Sequence, residues 1–354
     1  MKKLLLRILY FAAIPLFCMI GINYFVDPAY IFNEIYYETI IHHFKNNENV
    51  STNPNFDDRL LHKLYIESFD KCPDEIVLGS SRVKFVGKAA DIRKTGCINN
   101  GVNGASLEDI LSIYYIYEKT GCKIKKISLG LDPYYLNENH GQNRWKTLEA
   151  EFIDFQNKLF SEEKQVANFG FYNKYTELFS SSYFNASLKF LITGKDKNVY
   201  PTQEVNNENM TLLVDGTTTY DKEKRNISSE DVERNVKKII ASHSVYSMQD
   251  FHDLSAYYKS LFLSFVDYAI NKNIELEFVF VPIHPLLFDY LQNSPNYEIF
   301  FEAERFYRDI ATEKQINIIG SFNPNDFNLD NSDFYDDIHC KEGAIRKLYQ
   351  EFMD

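Results

Sequence analysis

Tryptophan occurs once in the 354 residues, cysteine five times, and positive charge is in deficit. Lys and Arg total 38 against 50 Asp and Glu, a formal net charge of −12. That balance argues against a nucleic-acid partner, which needs a basic face. There is no G-x-G-x-x-G and no P-loop lysine pattern, which weighs against a phosphate- or nucleotide-binding α/β domain. No set of His, Cys and carboxylates has the spacing of a metal site, so no metal and no other cofactor is expected. Only one long apolar run is present, and no internal repeat is evident. What the chain has in plenty is Tyr and Phe, 25 and 29 of them. Most belong in a core, and a surplus would suit a sugar-binding groove. The length accommodates a full α/β domain with an insertion, or two domains.

The apolar run is Ile8 to Val26, interrupted only by Asn23 and preceded by Lys2, Lys3 and Arg7. As a helix it would extend about 28 Å, close to the thickness of a bilayer core. Basic residues before it predict a cytoplasmic N-terminus with the remainder outside. No small-x-small cleavage site follows, so a single-span anchor is expected over residues 1–26 rather than a removed signal peptide. Residues 27–70 are polar and Asn-rich, and read as a stalk with short helices near Phe32–Phe44 and Asp58–Phe69. In an oxidising compartment cysteines can pair. Cys72, Cys97 and Cys122 each precede a predicted strand, which allows Cys72 to bond Cys97 or Cys122 and disfavours Cys340; unpaired buried thiols are the other possibility.

From Cys72 onward strand and helix alternate, which predicts an α/β fold with a five-stranded parallel sheet and right-handed crossovers. The strands are Glu75–Gly79, Gly96–Asn99, Lys126–Leu131, Glu275–Val281 and Gln315–Ile319. Helices are expected from Leu107 to Lys119, with a capping box at Ser106, from Met248 to Lys272, and from Lys341 to Phe352. About 140 residues separate the third strand from the fourth, too many for a plain loop and expected to be an inserted unit over roughly residues 136–247. Within it Phe152–Leu159 and Asn173–Leu191 read as helices, and Gly194–Asn226 as loop or hairpin.

Four short motifs fall at strand ends on one edge of this sheet. Gly79-Ser80-Ser81 ends the first strand, where a serine is held up beside the backbone N–H groups of a helix start. Either serine could instead be a helix N-cap. Asn99-Asn100-Gly101-Val102-Asn103-Gly104 ends the second strand, with glycines that permit exposed N–H groups. Gly130-Leu131-Asp132 ends the third. Asp336-Asp337-Ile338-His339 follows the fifth, and an Asp three residues before a His can orient the imidazole. His284 ends the fourth strand at the same edge as a substrate contact or a competing base.

This ordered series resembles the SGNH/GDSL hydrolase superfamily, over roughly residues 72–135 and 274–354 and outside the insertion and the N-terminal run. The Gly79-Ser80-Ser81-Arg82 block is similar to membrane-anchored relatives of the bacterial cell envelope, some of them esterases or O-acyltransferases of surface polysaccharides. The resemblance implies a three-layer, flavodoxin-like sandwich occupying residues 71–354. It implies Ser81 as nucleophile, His339 as base with Asp336 as its orienter, and Gly104 as an oxyanion donor. Arg82, Asn99, Asn103, Asp132 and His284 complete the implied oxyanion and substrate-binding set. The third block departs from the family's G-x-N-D, since Asp132 stands in G-L-D-P, and an ionised carboxylate cannot donate to an oxyanion. Either Asp132 is turned away or protonated, or Asn99 or Asn103 supplies the missing donor. The implied substrate is an acylated carbohydrate, with polysaccharide-biosynthesis proteins as possible partners. The rival expectation is a catalytically inert carbohydrate-binding or assembly protein on the same fold.

Overall fold

The computed structural model describes residues 2–52, 55–92, 96–160, 174–193, 199–203 and 208–350. Its strands are β1 (Asn49–Thr52), β2 (Glu75–Ser80), β3 (Cys97–Val102), β4 (Lys126–Gly130), β5 (Tyr200–Thr202), β6 (Met210–Leu212), β7 (Thr218–Thr219), β8 (Glu275–Phe280) and β9 (Asn317–Gly320). The helices are α1 (Lys2–Val26), α2 (Glu34–Lys45), α3 (Asp58–Glu67), α4 (Leu107–Lys119), α5 (Glu149–Phe160) and α6 (Ser181–Thr193). They continue with α7 (Lys222–Arg225), α8 (Ser229–Ser242), α9 (Ala256–Asn271), α10 (Pro285–Gln292), α11 (Glu298–Lys314) and α12 (Glu342–Gln350).

Five strands form one all-parallel sheet in the order β3-β2-β4-β8-β9. The apolar runs dictate this, since a strand buried on both faces must be apolar without alternation. Ile76, Val77 and Leu78 of β2 and Phe278, Val279 and Phe280 of β8 have no exposed surface. Numbered along the chain, the sheet order is 2-1-3-4-5. The path winds one way from β2 to β3 and the other way from β3 through β4 and β8 to β9. The reversal leaves a switch point between β2 and β4, where such sheets bind ligands beyond the strand C-termini. Gly79 ends β2 at that point with φ +153°. A Cβ there would lie 2.9 Å from Val83 Cγ2 and 3.0 Å from the Gly130 carbonyl, so only glycine lets β2 and β4 close at their ends.

The helix α4 begins and ends at the predicted residues. Asp109 accepts from the Ser106 N–H at 2.9 Å, closing the capping box. The predicted helix Met248–Lys272 is shorter, Ala256–Asn271. Ser247 and Asp250 take positive φ, a left-handed conformation that interrupts a right-handed helix. Helices α8, α10 and α11 were not anticipated. Residue Asn173, parts of the Gly194–Asn226 segment and the end of the Lys341–Phe352 helix lie outside the described residues.

The segment read as a stalk is folded against the domain. Strand β1 pairs with β5 and β6 of the insertion, and β6 turns into β7 through Asp215 and Gly216, a four-stranded antiparallel sheet. Tyr36, Tyr37, Ile40 and Phe44 of α2 bury with Leu61, Tyr65, Met210 and Leu212 in a second apolar cluster. A helix does form over the N-terminal run, as α1. Among the described residues, however, no helix is long and apolar enough to cross a membrane, so the expected span has no support from the fold. Of the cysteine alternatives, Cys72 is bonded to Cys122, while Cys97 and Cys340 are buried and lie outside that disulfide.

Candidate active site

The β2 turn separates its two serines by function. Ser80 is buried, and its Oγ accepts from the Arg82 N–H at 3.3 Å, the N-cap of a single 3-10 turn, Ser81–Val83. Ser81 is partly exposed, and its Oγ lies 2.7 Å from His339 Nε2. His339 Nδ1 lies 2.8 and 2.9 Å from the two oxygens of Asp336. A proton on Nδ1 directed at that carboxylate leaves Nε2 free to accept from the serine hydroxyl. Asp336 Oδ1 also accepts from the N–H groups of Ile338 and His339 at 3.1 and 2.8 Å, so the D-x-x-H loop folds around its own carboxylate. Burial alone would raise the Asp336 carboxyl, but its interactions with His339 and with the Lys224 ammonium outweigh that and hold it well below its usual range.

The insertion contributes side chains that sequence spacing did not reveal. Lys224 Nζ reaches Asp336 Oδ2 at 3.1 Å and sits 4.0 Å above the Tyr220 ring. Tyr220 meets the His339 ring edge-on at 6.3 Å and Tyr335 at 5.0 Å, so the Asp336–His339 loop is braced from outside the sheet. Gly104 has φ +58°, and a Cβ there would stand 2.7 Å from Tyr246 Oη and 2.8 Å from Gln142 Oε1. Both neighbours belong to the insertion, and Gln142 Nε2 donates to Tyr246 Oη at 2.9 Å.

Beneath the Asn103-Gly104 loop lies a buried charge network built from the former stalk. Arg59 of α3 is almost wholly buried and donates through Nε and Nη2 to both oxygens of Asp109, at 2.6 and 2.8 Å. The same guanidinium donates to the Asn103 and Gly104 carbonyls, each at 3.1 Å. Asp58 accepts from the Asn103 N–H at 2.6 Å and from Lys84 Nζ at 2.9 Å, while Lys84 also donates to Asn103 Oδ1 at 3.0 Å. With both loop carbonyls turned down onto Arg59, the Gly104 N–H makes no hydrogen bond among the described residues. An amide in that state is a ready donor for an oxyanion.

Four of the implied substrate-binding residues do other work. Asp132 is buried and paired with the Arg82 guanidinium, which also donates to the Val281 carbonyl and lies 5.3 Å over the Phe322 ring. Arg82 is therefore a buried structural cation rather than a substrate contact, and Asp132 is turned to it. Asn99 is spent as well: Nδ2 donates to the Val83 and Val86 carbonyls at 2.7 and 2.9 Å, and Oδ1 accepts from Gly101 N–H. His284 is fully buried, its Nδ1 accepts from the Leu286 N–H at 3.3 Å, and burial lowers its pKa to about 4. That cap geometry removes it as a rival base for Ser81. Among the described residues the Asn103 Nδ2 group has no hydrogen-bond partner, since Lys84 holds only its Oδ1.

The grouping thus unites a hydroxyl, an imidazole and a carboxylate from both ends of the chain with an N–H-rich loop beside them. No family model matches the chain, and none of the curated proteins matches it.

Proposed function

We propose that the protein is a serine esterase or O-acyltransferase of SGNH type, acting on acyl esters of an envelope or capsular polysaccharide through an acyl-serine intermediate. The observation that carries this reading is the continuous relay from Ser81 Oγ through His339 to Asp336. Ser81 Oγ attacks the ester carbonyl as its proton passes to His339 Nε2, and Asp336 stabilises the imidazolium. The tetrahedral oxyanion is held by the N–H groups of Ser81 and Gly104, with the Asn103 amide as the third donor. Collapse expels the sugar alkoxide, which takes the proton from Nε2 and leaves Ser81 acylated. Water or a second sugar hydroxyl, deprotonated by the same nitrogen, then accepts the acyl group. Pairing with Arg82 offsets the Asp132 charge, so the unusual third block is compatible with catalysis.

The reading includes an extracytoplasmic domain anchored by Ile8–Val26. The Cys72–Cys122 disulfide supports that location, since such bonds persist in oxidising compartments. The test is labelling of the full-length protein with a fluorophosphonate probe. Labelling is expected in the wild type and in Ser80→Ala, and is expected to vanish in Ser81→Ala. A folded wild type that fails to label overturns the reading in favour of a glycan-binding protein.

A further inference from the structure

Exposed apolar surface on this molecule is concentrated in one place. Among the described residues, 11 of the 15 large exposed apolar side chains lie on α1, the start of α2, the 3-10 turn Lys174–Phe179 and α6. On α1 they include Phe11, Ile14, Phe17 and Phe25, the last 82% exposed. At 3.6 residues per turn, the six exposed apolar positions of α1 spread over roughly 220° of its circumference. A protein groove covers one stripe of a helix, whereas lipid surrounds it. The flanking charges agree, because Lys2, Lys3 and Arg7 suit anionic headgroups.

The insertion enters this surface through α6. Tyr183 Oη donates to Asp27 Oδ1 at 2.6 Å, and one turn later Ser187 Oγ donates to Asn23 Oδ1 at 3.2 Å. Four residues forward on α6 thus match four residues back, from Asp27 just past α1 to Asn23 within it, so the two helices are antiparallel. Asn23, the lone polar residue of the apolar run, is wholly buried and donates to the carbonyls of Glu177, Leu178 and Ser180. These bonds pin the base of a helical hairpin. Beyond them α6 continues for five residues to Ile192, about 7.5 Å at 1.5 Å per residue. Leu191 and Ile192 at that tip are 57% and 84% exposed.

We propose that the tip of α6 is embedded in the same lipid layer as the apolar part of α1, so that the insertion is held to the membrane by a two-helix hairpin. The proposal rests on the anchor described above and not on the chemistry of Ser81. Its consequence is geometric. The same insertion supplies Gln142, Tyr246, Tyr220 and Lys224 to the site, so a second lipid attachment fixes the orientation of the site over the bilayer as well as its distance from it.

The test reconstitutes full-length protein in phosphatidylcholine–phosphatidylglycerol vesicles whose acyl chains are brominated, a quencher of indole fluorescence. Trp145, the single tryptophan, gives the wild-type baseline. Phe17→Trp reports the anchor and Ile192→Trp the tip of α6; both positions are exposed, so neither change disturbs packing. Loss of most of the added emission in both variants is the expected result. Quenching at Phe17→Trp alone overturns the proposal and leaves the anchor standing. Quenching at neither position overturns both.

Discussion

Replacing Asp132 by Asn restores the residue type that the SGNH pattern carries in its third block, and the structure says what should follow. If Asp132 faced the oxyanion, the new amide would add a donor, worth about 2.7–4 kcal/mol or roughly 10²–10³ in kcat. Asp132 is instead 4% exposed at its side chain and paired with Arg82, itself 6% exposed. Asp132→Asn therefore leaves a buried guanidinium without its counter-charge. Breaking such a pair from one side costs about 3–5 kcal/mol, and the retained Asn carbonyl oxygen puts the expected loss at the lower end. Urea unfolding of wild type and variant reads the stability, and hydrolysis of 4-nitrophenyl acetate reads kcat. The expected outcome is a lower midpoint with an unchanged m-value and no gain in kcat. Arg82→Met combined with Asp132→Leu should recover much of the loss, because removing both charges leaves none buried alone. A kcat that rises by tenfold or more with stability intact would refute the assignment of Asp132 to Arg82.

Three further outcomes are expected. Arg59→Met strands the buried Asp109, leaves Asp58 with Lys84 as its one cationic partner among the described residues, and releases the Asn103 and Gly104 carbonyls; a loss of about 3–5 kcal/mol in denaturant unfolding should accompany a fall in the rate of fluorophosphonate labelling. Burial, and then the neighbouring Asp336 charge, push the Asp337 carboxyl up to about 6. Its pKa is raised on folding, so its contribution is most favourable below pH 4 and is lost as pH rises through 6, by up to about 3 kcal/mol; Asp337→Asn should abolish that slope and stabilise the protein at pH 7. The Cys72–Cys122 bond closes a loop with a sequence separation of 50. Chain entropy then predicts a loss of about 4 kcal/mol in Cys72→Ser, read as a lower urea midpoint.

Local patterning was enough to read the sheet. Strands β2, β4, β8 and β9 carry short apolar stretches bounded by turn residues and α4 carries its own cap, so neighbours in sequence determine them, whereas β3, with Asn99 and Asn100, is placed by the strand–helix alternation rather than by hydrophobicity. The relay was legible because Gly79-Ser80-Ser81 and Asp336…His339 are compact motifs at strand ends. Local sequence left either serine open as an N-cap and the resemblance chose Ser81; the structure has Ser80 capping the Arg82 N–H and Ser81 against His339. For Asp132 the sequence left several alternatives open, and the pairing with Arg82 selects the one in which its carboxylate is turned away. Arg59, Lys224, Gln142 and Tyr246 carried no local signal. They reach the site from 45 residues before Gly104 or from inside the insertion, and long-range contacts of that kind leave no periodicity to read. The stalk reading failed on the same ground, since β1 is polar in sequence and gains its place by pairing with strands some 150 residues later.

Ser81 and His339 are separated by 258 positions. At ribosomal speeds of 5–20 residues per second, Ser81 is polymerised roughly 13–50 s before the imidazole that comes to lie against its hydroxyl. Through that interval the nascent polypeptide carries an ordinary alcohol, without the neighbouring base that would make it a nucleophile. On the proposed reading activity is deferred until His339 has been made, and a product truncated between Gly320 and His339 would have its parallel sheet whole and its serine without the imidazole.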